Sequence, residues 1–121
     1  MTDFRTEVQD IFYHVVDSMP GIVVTDLNGK ILFLNDSYAE ILGVNREEAI
    51  GKDVTEVIPG TRMHIVADTG KEEMGSVFQL KNGQSIIVNR MLVKKKGKVV
   101  GVAAFSSFTS CHAFSASRKL M

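Results

Sequence analysis

Asp26-Leu27-Asn28-Gly29-Lys30-Ile31-Leu32-Phe33-Leu34-Asn35 is the stretch whose reading decides the fold. Asp, Asn and Gly in succession are turn chemistry, and Asn-Gly between apolar runs is the strongest short hairpin signal. Ile22-Val23-Val24-Thr25 before the turn and Ile31-Leu32-Phe33-Leu34 after it read as two antiparallel strands. The second run is apolar without a break, which predicts burial on both of its faces. Upstream, Met19-Pro20-Gly21 closes the preceding segment, because Pro lacks an amide donor and Gly accepts dihedrals other residues avoid.

That preceding segment has the period of a helix. Phe4, Val8, Ile11, Val15 and Met19 fall on one stripe, and Phe12 and Val16 widen it. Such a stripe can pack on its own domain or pair with a second copy. The expectation is that it does both, with Phe4, Val8, Ile11 and Val15 forming a dimer seam.

Downstream of the hairpin come short helical pieces, each with its own punctuation. Ser37 with Glu40, Asn45 with Glu48, and Asp53 with Glu56 have capping-box spacing, closed by Gly43, by Gly51 and before Pro59. Thr61 is placed to cap a fourth piece, Arg62 to Thr69, closed by Gly70. Helices this short need a sheet to lie on. The last third returns to strands: Ser76 to Leu80, an Asn82-Gly83 turn, Ser85 to Val93, a lysine-rich turn over Lys94 to Lys98, and Val99 to Phe105. The order predicts an α+β domain: a five-stranded antiparallel sheet, short helices on one face and an N-terminal amphipathic helix. The divisions are residues 1–19 for the helix, 20–109 for the core, and 110–121 for a Ser-rich tail expected to be poorly ordered.

Composition narrows the function classes. The chain has 121 residues, 45% of them apolar, and 14 basic side chains balance 14 acidic ones, so no global field favours nucleic acid or membrane. No apolar run is long enough to cross a bilayer, and a cytoplasmic location is expected. The single cysteine, Cys111, has no disulfide partner within the chain, and Cys111-His112 lacks a second pair of metal donors. There is no Gly-rich phosphate loop, metal triad or nucleophile elbow, so no catalytic residue and no metal site are assigned.

The hairpin stretch, together with Ala39, Leu42-Gly43 and Ile50-Gly51, resembles the signature of the PAS family in order and spacing. The likeness runs over residues 9 to 105. It implies a sheet curved around a pocket roofed by the short helices, in a sensory module that is not an enzyme. A narrower likeness lies in Val57-Ile58-Pro59-Gly60-Thr61-Arg62-Met63-His64-Ile65-Val66, with Thr69-Gly70 and Ile87-Val88-Asn89-Arg90. It is similar to PAS domains at the N-terminus of sigma-54-dependent transcriptional activators. It implies a sensor whose effector domains, an ATPase and a DNA-binding domain, are absent from this chain; the alternative setting is a ligand-free dimerisation module of a protein such as a histidine kinase. Two departures accompany it: Leu92 stands where such domains usually carry Pro, and Phe105-Ser106-Ser107-Phe108-Thr109 replaces their usual exit.

The candidate ligand site implied by that pattern is Arg62, His64, Asn89 and Arg90. A guanidinium fork can hold a carboxylate through two hydrogen bonds, which makes a small organic anion the expected ligand. Nearby acids are scarce in the sequence, since Asp68 lies nearly opposite Arg62 on a helix and Glu56 precedes Pro59. The small Gly101, Ala103 and Ala104 on the last strand are expected to leave volume for the ligand. The competing reading is that all four residues are solvent-facing polar groups on amphipathic elements. No cofactor is expected; haem would need His64, which no second motif supports.

Overall fold

The structure, a computed structural model, describes residues 4–80 and 83–107. Asn82 of the late Asn-Gly turn, and the tail with Cys111 and His112, lie outside the described residues. The chain runs α1 (Phe4–Asp17), β1 (Gly21–Asp26), β2 (Ile31–Leu34), α2 (Asp36–Leu42), α3 (Arg46–Ala49) and α4 (Val54–Val57). It continues α5 (Met63–Thr69), β3 (Glu73–Gln79), β4 (Ser85–Lys95) and β5 (Lys98–Ser107). The five strands form one sheet in the order β2-β1-β5-β4-β3, with every neighbouring pair antiparallel.

Strand alternation separates two faces. Val23, Thr25, Val88, Arg90, Val102, Ala104 and Ser106 point to one side and are buried. With Ile31, Leu34, Tyr38, Ala49, Val54, Met63 and Val66 from β2 and the helices they make the core. On the other side Val24, Ile87, Met91, Val93 and Phe105 keep partial or full exposure. The short helices therefore roof one face only, as the sequence predicts.

The first hairpin is built by Asp26 more than by Asn28. The Asp26 Oδ1 accepts hydrogen bonds from the amides of Asn28 (2.9 Å) and Lys30 (3.0 Å), and Gly29 supplies the positive φ of 84°. The expectation for β2 needs correction. Ile31 and Leu34 are buried, but Leu32 is 56% exposed and Phe33 is half-buried. The reason is position: β2 is an outermost strand with one roofed face, and its register against β1 shifts between Val24 and Thr25. Its outer edge is not bare, because Gly51 N and Ile31 N exchange bonds with Ile31 O and Lys52 O (2.8 and 2.9 Å).

The helix starts follow the predicted chemistry with one shift. Asn45 and Asp53 cap α3 and α4, accepting from the amides of Glu48 and Thr55. Asn35, not Ser37, caps α2. Thr61 Oγ1 accepts from Met63 N at 3.3 Å, at the start of α5. The expected volume along β5 is absent at Gly101: a Cβ there would collide with the Thr25 carbonyl oxygen, so the glycine serves strand approach. Ala103 points away from the roof, which leaves Ala104 as the one small side chain of the three facing it.

Candidate functional site

α1 is the first region where function and fold separate. None of its residues is buried. Phe4 is 78%, Ile11 62%, Phe12 63% and Val15 54% exposed, while Val8 is half-buried. The expectation that the stripe also packs on its own domain is therefore wrong for most of its length. α1 is held instead towards its C-terminal end.

Two side chains hold it. Asn35, fully buried, donates from Nδ2 to the carbonyls of Val16 (3.1 Å), in the last turn of α1, and of Met19 (2.8 Å), just past its end. Its Oδ1 accepts from Ile22 N (3.2 Å) and Tyr38 N (3.1 Å). One amide thus joins the end of α1, the start of β1 and the start of α2. Arg46 on α3 makes the second attachment. Its Nη2 donates to the Tyr13 hydroxyl (3.0 Å) and its Nη1 to Asp36 Oδ1 (3.3 Å), while Asp17 Oδ1 lies 3.7 Å from Nη1. The same guanidinium stands 5.2 Å over the Phe33 ring, which Tyr13 meets edge-on at 6.1 Å. Sequence reasoning missed the bonds of Asn35 backward to α1. It missed Arg46 altogether, since nothing local pairs it with residues 33 positions away.

The second region is polar and lies where α5 meets the sheet. Arg62, exposed just before α5, grips Glu73 with Nε to both carboxylate oxygens (2.9 and 3.1 Å) and Nη2 to Oε2 (2.9 Å). Arg90 is only 3% exposed and reaches the same carboxylate with Nη1 at 3.3 Å. Glu73 pairs with Arg90 across the β3–β4 ladder, which brings it there. Its carboxyl is held below its ordinary pKa, first by the Arg62 hydrogen bonds and then by the charges of Arg62 and Arg90, against the opposing cost of desolvation. Burial pushes the Arg90 guanidinium down, with Glu73 opposing. Burial also raises Tyr38 to about 12, with the nearby Arg90 pulling the other way.

Of the four expected ligand residues the structure unites Arg62 and Arg90, through an acid the sequence reading overlooked. His64 is exposed on α5. Asn89 faces away from Arg90 and accepts from Gly75 N at 2.7 Å, fixing the irregularity in β3 between Glu73 and Ser76. The scarcity of acids is corrected by Glu73, which is eleven residues from Arg62 in sequence and adjacent to it in space. Two guanidiniums on one carboxylate leave a surplus positive charge, and Arg90 Nε is buried without a hydrogen-bond partner. Separately, a cleft of about 250 Å³ opens between α2, α4 and β3, walled by Ile41, Leu42, Val57, Ile58, Phe78 and Leu80 together with Gln79, with no charged side chain in its lining. Among the described residues no three or more His, Cys, Asp or Glu gather as metal ligands do, and no helix is long and apolar enough to cross a membrane.

The PAS fold family matches residues 7–102, most of the described chain. The chain belongs to the PAS family. As a PAS domain it is a sensory module and not itself a catalyst. A probable C4-dicarboxylate sensor kinase of Halalkalibacterium halodurans is 32% identical to it over 84 residues, which is 69% of this chain and 15% of that protein. The sensor histidine kinase WalK of Bacillus subtilis is 22% identical over 104 residues, 83% of this chain and 16% of the kinase. The chain therefore spans less than a fifth of the length of these relatives. The fold also matches the PAS domain of a protein from Colwellia psychrerythraea, with a TM-score of 0.63 at 23% identity over 83% of this chain and 95% of that one. Both of these curated relatives are sensor kinases, so the sigma-54 likeness finds no support in them.

Proposed function

We propose that this PAS domain is a homodimeric regulatory module of a sensor-kinase type of signalling protein, joined to a second copy through α1. The exposed apolar stripe of Phe4, Ile11 and Val15, with Val8 beside it, carries the reading. A helix with that much apolar surface in water, anchored at one end, gains by pairing: each such side chain contributes roughly 1.5–3 kcal/mol if fully buried. The kinase setting draws on the sensor kinases that the chain resembles, whereas the transcriptional-activator setting has only the motif likeness. Sedimentation should show a dimer for the wild type and a monomer for Val8→Asp/Ile11→Asp. A dimer that survives both charges moves the seam elsewhere.

A second reading is favoured by the unpartnered Nε of Arg90: the arginine pair takes a small organic anion. The dicarboxylate named for one relative is of that chemical class. Glu73 already holds the place such a carboxylate would take, so the ligand must displace it or bind on the Nε side. In a thermal-shift screen of organic acids, at least one should stabilise the wild type, and Arg62→Ala should weaken its binding about ten- to hundred-fold. A wild type indifferent to every acid ends this reading. We propose no cofactor, because His64 stands exposed on α5. Offered haem should give no Soret band, and a stoichiometric complex abolished by His64→Ala would reverse that.

A further inference from the structure

α2 has seven residues, so its ends lie about 10 Å apart. At its C-terminal end Ile41 and Leu42 wall the cleft. At its N-terminal end Asn35 and Asp36 are the groups through which α1 is held. No α1 residue is buried against the sheet. The attitude of α1 is therefore set where the start of α2 and α3 meet the edge of the sheet, chiefly through Asn35 and Arg46.

The two attachments differ in what they transmit. Asn35 uses both amide protons and both oxygen lone pairs, on Val16, Met19, Ile22 and Tyr38, so it has no capacity left for slack. Any shift of the α2 start must carry the last turn of α1 with it or break a buried bond. Arg46 acts further up the helix, one turn before the end, where Tyr13 and Asp17 lie on the face it meets. Asn35 fixes where α1 begins its departure from the core; Arg46 fixes the direction. Because Arg46 also bonds Asp36 and stands over Phe33 of β2, that direction is referred to the start of α2 as well as to the sheet edge.

We infer that Asn35 and Arg46 form a coupling joint through which α2 acts as a lever, converting a change at the cleft wall into a new attitude of the α1 dimer seam. This rests on the dimer reading above, and the test keeps the two separate. The input is mimicked in the full chain by Leu42→Ala, which alters the cleft wall of α2, and the output is amide hydrogen exchange over Ile11 to Asp17. Leu42→Ala should change α1 exchange several-fold in the wild-type background. Arg46→Ala should raise α1 exchange about tenfold, as expected for losing charged hydrogen bonds. In Leu42→Ala/Arg46→Ala the effect of Leu42 should vanish over Ile11 to Val15, which Arg46 directs, and persist only near Val16, which Asn35 still holds; Arg46→Lys should fail to restore it, since an ammonium does not reproduce the planar fork that reaches Tyr13 and Asp36 together.

The joint is overturned if Leu42→Ala leaves α1 exchange unchanged, or if the two effects simply multiply in the double variant. Protection of the Val88 and Val102 amides in the same samples reports whether the sheet is intact, and Leu42→Val replaces Leu42→Ala if it is not. Sedimentation of the wild type checks the dimer independently. A monomer with coupled exchange overturns the seam and leaves the joint; a dimer with uncoupled exchange does the reverse.

Discussion

Asn35, just past β2, and Arg90, on β4, are both buried polar side chains, and they solve the burial problem in opposite ways. Asn35 is neutral and matches every donor and acceptor it has. Arg90 is charged, shares its single carboxylate partner with Arg62, and keeps Nε unmatched. A satisfied amide in a low-dielectric setting specifies geometry at little net cost, whereas a half-satisfied charge costs stability unless something compensates it. The first belongs to a structural joint. The second marks a place where stability has been given up.

The largest effect should come from breaking the satisfied side. Asn35→Leu removes the acceptor of the Ile22 and Tyr38 amides and the donor to the Val16 and Met19 carbonyls, and should lower unfolding free energy by about 3–5 kcal/mol in urea titrations. A loss under about 1 kcal/mol would mean that water replaces the joint freely. On the other side, Glu73→Gln removes the charge partner of a buried guanidinium and should cost about 2–3 kcal/mol, since Glu73 is itself partly exposed. Arg90→Met, which removes the buried charge while keeping its length, should be neutral or stabilising. If Arg90→Met is as damaging as Asn35→Leu, the contrast between the two sites fails.

The acid pH dependence sharpens the same contrast. The Glu73 carboxyl has a folded pKa below its ordinary value of 4.5, so it stabilises the fold above that value and the contribution drains away as pH falls through the folded pKa. The melting-temperature gap between wild type and Glu73→Gln should therefore be full at neutral pH and close as pH falls through the lowered folded pKa of Glu73. Asn35 does not titrate, so the gap to Asn35→Leu should persist. The smallest effect belongs to His64→Ala, within about 0.5 kcal/mol of wild type, as for an exposed side chain away from buried networks.

Much of this architecture was legible because it rests on local chemistry. The turn at Asp26 to Gly29, the caps at Asn45 and Asp53 and the stop at Gly43 are each decided by a few neighbouring residues. What escaped depends on assembly. The exposure of Leu32 follows from β2 being an outer strand, which its own composition does not announce. Glu73 reaches Arg62 only because the chain reverses after Gly70 and β3 pairs with β4 in a particular register. The backward bonds of Asn35 require knowing where α1 ends in space. The candidate site was read at half strength for that reason: its two arginines are real neighbours, and its His64 and Asn89 are not.

Asn89 has a different consequence. The order β2-β1-β5-β4-β3 leaves two outer strands, each presenting backbone groups to which another sheet could add without limit. The β2 side is closed by the Gly51 to Val54 segment lying along it. The β3 side carries the exposed Met74 and Val77, the composition that invites fibrous growth. Its protection is the kink at Gly75, where φ is 69° and Asn89 takes the amide. A strand bent and held in that way offers no straight ladder to a newcomer. Asn89 is thereby placed to guard that edge against strand addition.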